Sequence, residues 1–248
     1  TEIHVYQVEQ EEPTHQFGLA WQAAGRHLQS CGGEGINWLR ASLDPPLAEH
    51  LSFRIGNRLF FVYVEPTDGT AAASSKPLFL QVSKEATAIP CVIPMERCAQ
   101  GYNPMYGGWG LRHAVSGNQI TPSDLVDDEN IPMSDWEIHD FAIQIVTNHI
   151  RSSGNTVLSS QPSPHIDPSI WFRDQHGPAY VIVRAARYPV SAANQPSNVQ
   201  DIARSCARIS QRGYFGSVSF ANASDLDEPL FRGHGVLPRF SGLEELGT

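Results

Sequence analysis

Apolar positions at helical spacing run from Thr14 to Gln29, where Phe17, Ala20, Trp21, Ala24 and Leu28 share one face, so an amphipathic helix is predicted there. Cys31-Gly32-Gly33 ends it, and a second short helix is expected from Ile36 to Leu43, stopped by Pro45-Pro46. Strand patterns follow. Leu51 to Ile55 and Leu59 to Val64 flank Gly56-Asn57, a two-residue hairpin turn. Leu78 to Val82 and Ala88 to Ile93 read as further strands on either side of a polar Ser83-Lys84-Glu85 turn, and the small, polar stretch Thr67 to Ser75 reads as a loop. Gly101 to Gly110 is a loop rich in glycine and aromatic residues, a type that carries binding surfaces in some proteins and is a packed connection in most. The acidic, weakly patterned segment Asp124 to Asn130 is the expected domain boundary. No internal repeat and no low-complexity tract stands out.

The second half is more sharply patterned. Ser134 and Glu137 form a capping box, and Met133 and Ile138 bracket it as a hydrophobic staple. Ile138, Phe141, Ala142, Ile145, Val146 and Ile150 continue that helix, which yields at Ser152-Ser153-Gly154-Asn155. Strands are expected at Thr156 to Ser160, Ile166 to Phe172 and Ala179 to Tyr188, the last two joined as a hairpin through Asp174 to Pro178. Tyr180-Val181-Ile182-Val183 is apolar on both faces, the mark of a central strand covered on both sides. A further helix starts with Ser197 as N-cap and Gln200 at N3 and carries the stripe Val199, Ile202, Ala203, Cys206 and Ile209, with Gly213 to end it. Phe215 to Ala221 closes the order α-β-β-β-α-β. The predicted architecture is α+β in two domains: 1–130, a helix plus an antiparallel sheet, and 131–248, built on that core.

Composition adds constraints. With 248 residues, 41% hydrophobic and 17% charged, the chain can bury one large core or two modest ones. No apolar run reaches the roughly 18–20 residues of a membrane-spanning helix, so no membrane partner is expected. Thr1 to Glu12 is polar and acidic, unlike a secretory signal or transit peptide; the missing initiator Met implies processing or trimming, with a signal removed before Thr1 left open. The net charge of −9 disfavours, without excluding, a nucleic-acid footprint. It is unevenly spread: 8 basic against 15 acidic residues up to Met133 give −7, and 9 against 11 after it give −2. Cys31, Cys91, Cys98 and Cys206 show no CxxC pair or regular spacing, which argues for free thiols in a reducing, cytoplasmic setting and against a zinc site or disulfide framework.

The order α-β-β-β-α-β, with its hairpin, resembles the core of the PD-(D/E)XK, or restriction-endonuclease-like, nuclease superfamily over about Ser134 to Asn222. In active members an Asp near the start of the second strand and a Glu-x-Lys on the third meet in one cleft, hold Mg²⁺ and position water for phosphodiester hydrolysis; a Glu of the preceding helix often assists. Asp167, in His165-Ile166-Asp167-Pro168, matches that Asp. The third-strand motif falls on Ile182-Val183-Arg184. Ile offers Mg²⁺ no oxygen ligand, and Arg cannot act as a base. No acidic residue lies between Ala179 and Tyr188 to supply a shifted motif. The resemblance therefore implies a nuclease-like domain with a degenerate site, in which Asp167 and Arg184 form a structural ion pair.

Other constellations carry less. His139, Asp140, His165 and Asp167 could ligate a metal only if they converge, and nothing in the sequence brings them together, so no metal ligand is assigned. Arg204, Arg208 and Arg212 recur every four residues along the second helix; with Arg184 and Arg187 they could meet phosphate or a partner's carboxylates, or they could be a solvated face. Phe231-Arg232-Gly233-His234-Gly235 reads as a tight turn, and no nucleophile elbow or phosphate-binding loop is present. The leading expectation is a non-catalytic binding protein with a protein partner and no cofactor. One alternative is a divergent Mg²⁺-dependent nuclease using Asp167, Arg184 and a carboxylate borrowed from the helix, Glu137 or Asp140. The other is an immunity-type or regulatory protein whose acidic N-terminal half masks a basic partner.

Overall fold

The computed structural model describes residues 14–40, 50–72 and 75–247. They form two compact units, Glu11–Ile131 and a second beginning at Pro132.

In the first unit, Thr14 caps α1 (His15–Gly32) by accepting from the Phe17 N–H, and the apolar face read from the sequence, Phe17 through Leu28, is buried. The strands are β1 (Asn37–Arg40), β2 (Leu51–Ile55), β3 (Arg58–Pro66), β4 (Ile89–Cys98), β5 (Gly101–Pro104), β6 (Leu111–His113) and β7 (Gln119–Ile120), with α2 (Lys76–Glu85) between β3 and β4. The sheet order is β1-β2-β3-β4-β6-β7, with β5 also paired to β4. Only β3 and β4 are parallel, so the sheet is mixed where antiparallel pairing was expected. That pairing explains two corrections. A parallel pair needs a crossover, and Leu78 to Val82, expected as a strand, supplies it as helix: Ser75 caps it, Pro77 sits in its first turn, and Phe79 and Ser83 are buried four residues apart. Ser83-Lys84-Glu85 is then its last turn rather than a loop. The helix expected at Ile36 to Leu43 is replaced over Asn37–Arg40 by an edge strand on β2; residues 41–43 lie outside the described part. Of the aromatic-glycine stretch, Gly101–Pro104 is strand β5 rather than loop, Met105 and Tyr106 are exposed, and Trp109 is stacked on Phe53 at 6.3 Å. The acidic segment Asp124 to Asn130 is anchored to the β2–β3 hairpin: Asn57 Nδ2 donates to Asp127 Oδ1 at 2.7 Å, and Arg58 pairs with Asp127 and donates to the Leu125 carbonyl.

The second unit has the α-β-β-β-α-β order predicted for it, with one more strand after it. α3 (Asp135–Ser152) precedes β8 (Thr156–Ser160), β9 (Ile170–Asp174) and β10 (Gly177–Arg187); α4 (Val199–Cys206) leads to β11 (Gly213–Asn222) and β12 (Val236–Glu245). The sheet order is β12-β11-β10-β9-β8, parallel only between β10 and β11. Side chains alternate across β10. Ala179, Val181 and Val183 pack with Ile138, Ala142, Val146 and Ile150 of α3, whereas Tyr180 and Ile182 pack with Ile202 and Cys206 of α4. The sheet is thus covered on both faces, as the apolar run on β10 implied.

Two boundaries move. β9 begins at Ile170 rather than Ile166, because Pro162, Pro164 and Pro168 withhold ladder donors. α4 takes Asn198 as N-cap, without a side-chain cap bond, and ends at Cys206, so Ser197 and Gln200 lose their assigned roles. Ile209 is exposed beyond the helix, and Gly213 opens β11 instead of ending α4. The order of elements in the first unit, α1-β1-β2-β3-α2-β4, is the order of the second, where the sequence showed no internal repeat. No helix of the described residues is long and apolar enough to cross a membrane.

Candidate functional site

β10 positions the central pair. Ile182 is fully buried among Trp171, Tyr180, Ile202, Cys206 and Phe215. Two residues on and on the same face, Arg184 leaves that apolar cluster and meets Asp167 in a bidentate contact: Nη1 donates to Oδ1 at 3.0 Å and Nη2 to Oδ2 at 2.6 Å. Arg184 Nη1 also donates to the Val183 carbonyl at 2.8 Å. The Asp167 side chain is 9% exposed and that of Arg184 is 22%.

Asp167 reaches this position from a loop. Gln161 Oε1 accepts from the Ser163 N–H at 2.8 Å. Ser169 then locks the entry to β9, its N–H donating to the Val181 carbonyl at 2.9 Å and its Oγ accepting from the Val183 N–H at 3.1 Å. Below the pair, burial, and after it the charge of Asp167, pushes the Cys206 thiol up to about 12, so it stays protonated. Two acceptor oxygens thus face a fixed cation whose planar fork matches them.

The helix carboxylates stand elsewhere. Glu137 closes the capping box, its Oε2 accepting from the Ser134 N–H at 2.9 Å, while Ser134 Oγ accepts from the Glu137 N–H at 3.3 Å. The same carboxylate takes Arg232 Nε at 3.0 Å and Nη2 at 2.7 Å. The two side chains are 0% and 3% exposed, making this the more deeply buried pair. Asp140 is buried and accepts from Gln144 Nε2 at 2.8 Å. Both belong to α3, which packs on the Val181–Val183 side of the sheet, while Arg184 and Asp167 lie on the α4 side. The sheet stands between them. Arg232 was missed because its partner is 95 residues away and its neighbours, Gly233 and His234, read as a turn.

The arginines do not form a row. Arg204 is exposed and pairs with Asp201 on its own helix; Arg208 lies past the helix end and is exposed. Arg212 turns back to the β9–β10 hairpin, donating to Asp174 at 2.7 and 2.8 Å and to the Gly177 carbonyl at 2.7 Å. The Arg212 guanidinium holds the Asp174 carboxyl below its ordinary range. Arg187 pairs with Asp135 at 2.6 Å and donates to the Met133 carbonyl. The regular spacing breaks because α4 stops before Arg208. His165 is exposed on the loop and His139 is buried on α3. Among the described residues, no three of His, Cys, Asp and Glu gather as a metal site.

Residues 136–246, from the first turn of α3 to just past β12, match the family model of a domain of unknown function, DUF8840. No curated protein and no solved structure matches the chain.

Proposed function

We propose that the chain is a non-catalytic binding protein, acting on a protein partner in a reducing, cytoplasmic setting, whose second unit uses a nuclease-like scaffold with a degenerate site. The carrying observation is the bidentate Arg184–Asp167 pair beside a buried Ile182. The element order, the hairpin between β9 and β10, and an aspartate just ahead of β9 are what support the nuclease-like scaffold. At the position where such a scaffold would hold Mg²⁺, the carboxylate is committed to a guanidinium and its neighbour on the strand face is apolar. Catalysis by a borrowed carboxylate would need Glu137 or Asp140 on the other face of the sheet. The reading needs no cofactor. Fold alone does not carry activity, so the conclusion rests on the site.

The test is calorimetric titration of the purified protein with Mg²⁺ and Mn²⁺, beside cleavage assays on single- and double-stranded DNA and RNA. No metal-dependent heat and no cleavage are expected. Cleavage abolished by Asp167→Ala would overturn the reading and make the protein a nuclease with a rearranged site.

A further inference from the structure

The two units agree in more than topology, and we infer that the chain is a tandem duplication of one α-β-β-β-α-β module, whose N-terminal copy lies outside the stretch matching the family model. Both copies open with an 18-residue helix, capped by Thr14 or Ser134 accepting from the N–H three residues on. The hairpins between second and third strands close on Ile55↔Arg58 and on Asp174↔Gly177. That correspondence is a shift of 119 positions, from Ile55 to Asp174. Under it Phe53 falls on Phe172, Arg54 on Arg173, Val62 on Val181 and Val64 on Val183, while Leu51 falls on Ile170 and Phe61 on Tyr180.

The faces agree as well. Phe60, Val62 and Val64 enter the core with α1 as Ala179, Val181 and Val183 enter the core with α3. Past the crossover loop the shift becomes 123, from Lys76 to Val199, the first residues of the two crossover helices. It then stays constant: Phe79 and Ser83 are buried where Ile202 and Cys206 are, and Cys91 pairs with Val62 as Tyr214 pairs with Val181. A one-residue slip anywhere would turn every strand side chain to the wrong face. Two unrelated domains sharing a topology have no reason to keep register through β1, β2, β3, α2 and β4 with a single change of spacing, placed in a loop.

At the strand position of Arg184 the first copy carries the opposite charge. Glu65 takes the place of Arg184, and its Oε1 lies 3.5 Å from Nζ of Lys76, at the start of the crossover helix. Each copy neutralises that strand position with an ion pair of its own, the partner coming from the crossover helix in one and from the loop before the second strand in the other. The inference does not depend on the nuclease-like reading.

Hydrogen exchange on the 248-residue chain tests it. In the wild type, the slowest amides of residues 51–66 should map onto those of 170–185 under the first shift, and those of 89–98 onto 212–221 under the second. Val62→Ala and Val181→Ala should each accelerate exchange about tenfold or more, in sets of amides related by the same shifts. Protected strands that fail to correspond, or paired substitutions opening unrelated sets, would overturn the duplication. The wild-type map decides even if a variant does not fold.

Discussion

The two buried or half-buried ion pairs differ in what they cost and in what breaking them should do. Glu137 and Arg232 are sealed from water, so removing one partner leaves an uncompensated charge. Glu137→Ala is expected to lower stability by about 3–5 kcal/mol, read from urea unfolding monitored by circular dichroism. Joint replacement by apolar side chains, Glu137→Leu with Arg232→Met, should recover most of that loss; a double variant as weak as the single would show that the pair itself holds the loop. Asp167→Ala exposes the same physics at a wetter position, where solvent reaches Arg184, and a smaller loss of roughly 1–3 kcal/mol is expected. Asp68 gives a pH signature. The Tyr102 hydroxyl at 2.6 Å, with Thr70, holds its carboxyl down at about 2. A depressed folded value stabilises the fold above the unfolded carboxylate range, near ~3.9, and the effect is lost as pH falls through about 2. Asp68→Asn should therefore flatten the fall of the urea midpoint between about pH 4 and 2. An unchanged slope would mean that other carboxylates set the acid limb.

At the element scale, capping and crossover decide where helices stand. Ser134→Ala removes the acceptor for the Glu137 N–H and one anchor of its carboxylate, and should cost about 1 kcal/mol, with a matching loss of protection in the first turn of α3. The capping box was legible because all its parts lie within four residues. α2 was misread for the opposite reason. Its sequence, Lys76–Glu85, has one apolar stretch, Leu78 to Val82, short enough for a strand, and what makes it a helix is the need to connect β3 to a parallel β4. Likewise α4 ends at Cys206, although arginines continue at helical spacing, because Arg212 is drawn to Asp174 in the hairpin. In each case a partner far along the chain overrode a local pattern.

At the scale of the whole molecule, each unit has its own core and buries one cysteine: Cys91 on β4 and Cys206 on α4, both pushed up to about 12 by burial, while Cys31 and Cys98 are exposed. Titration of the native protein with a thiol reagent should label two thiols rapidly and leave two protected until their own units open. Rapid labelling of all four would contradict the burial. By itself the sequence determined the α+β class, the face of α1, the full cap of α3, the hairpins and the central strand β10, because each is written in contiguous spacing or in turn chemistry. It also offered Asp167 as the partner of Arg184, through the resemblance that set both residues in one site and the need of a half-buried arginine for a carboxylate. Only the tertiary structure decided that Glu137 faces Arg232, that α2 is the crossover of a parallel pair, and that the first unit follows the plan of the second. Those facts depend on charge burial and strand register between segments tens of residues apart, and local periodicity carries no record of either.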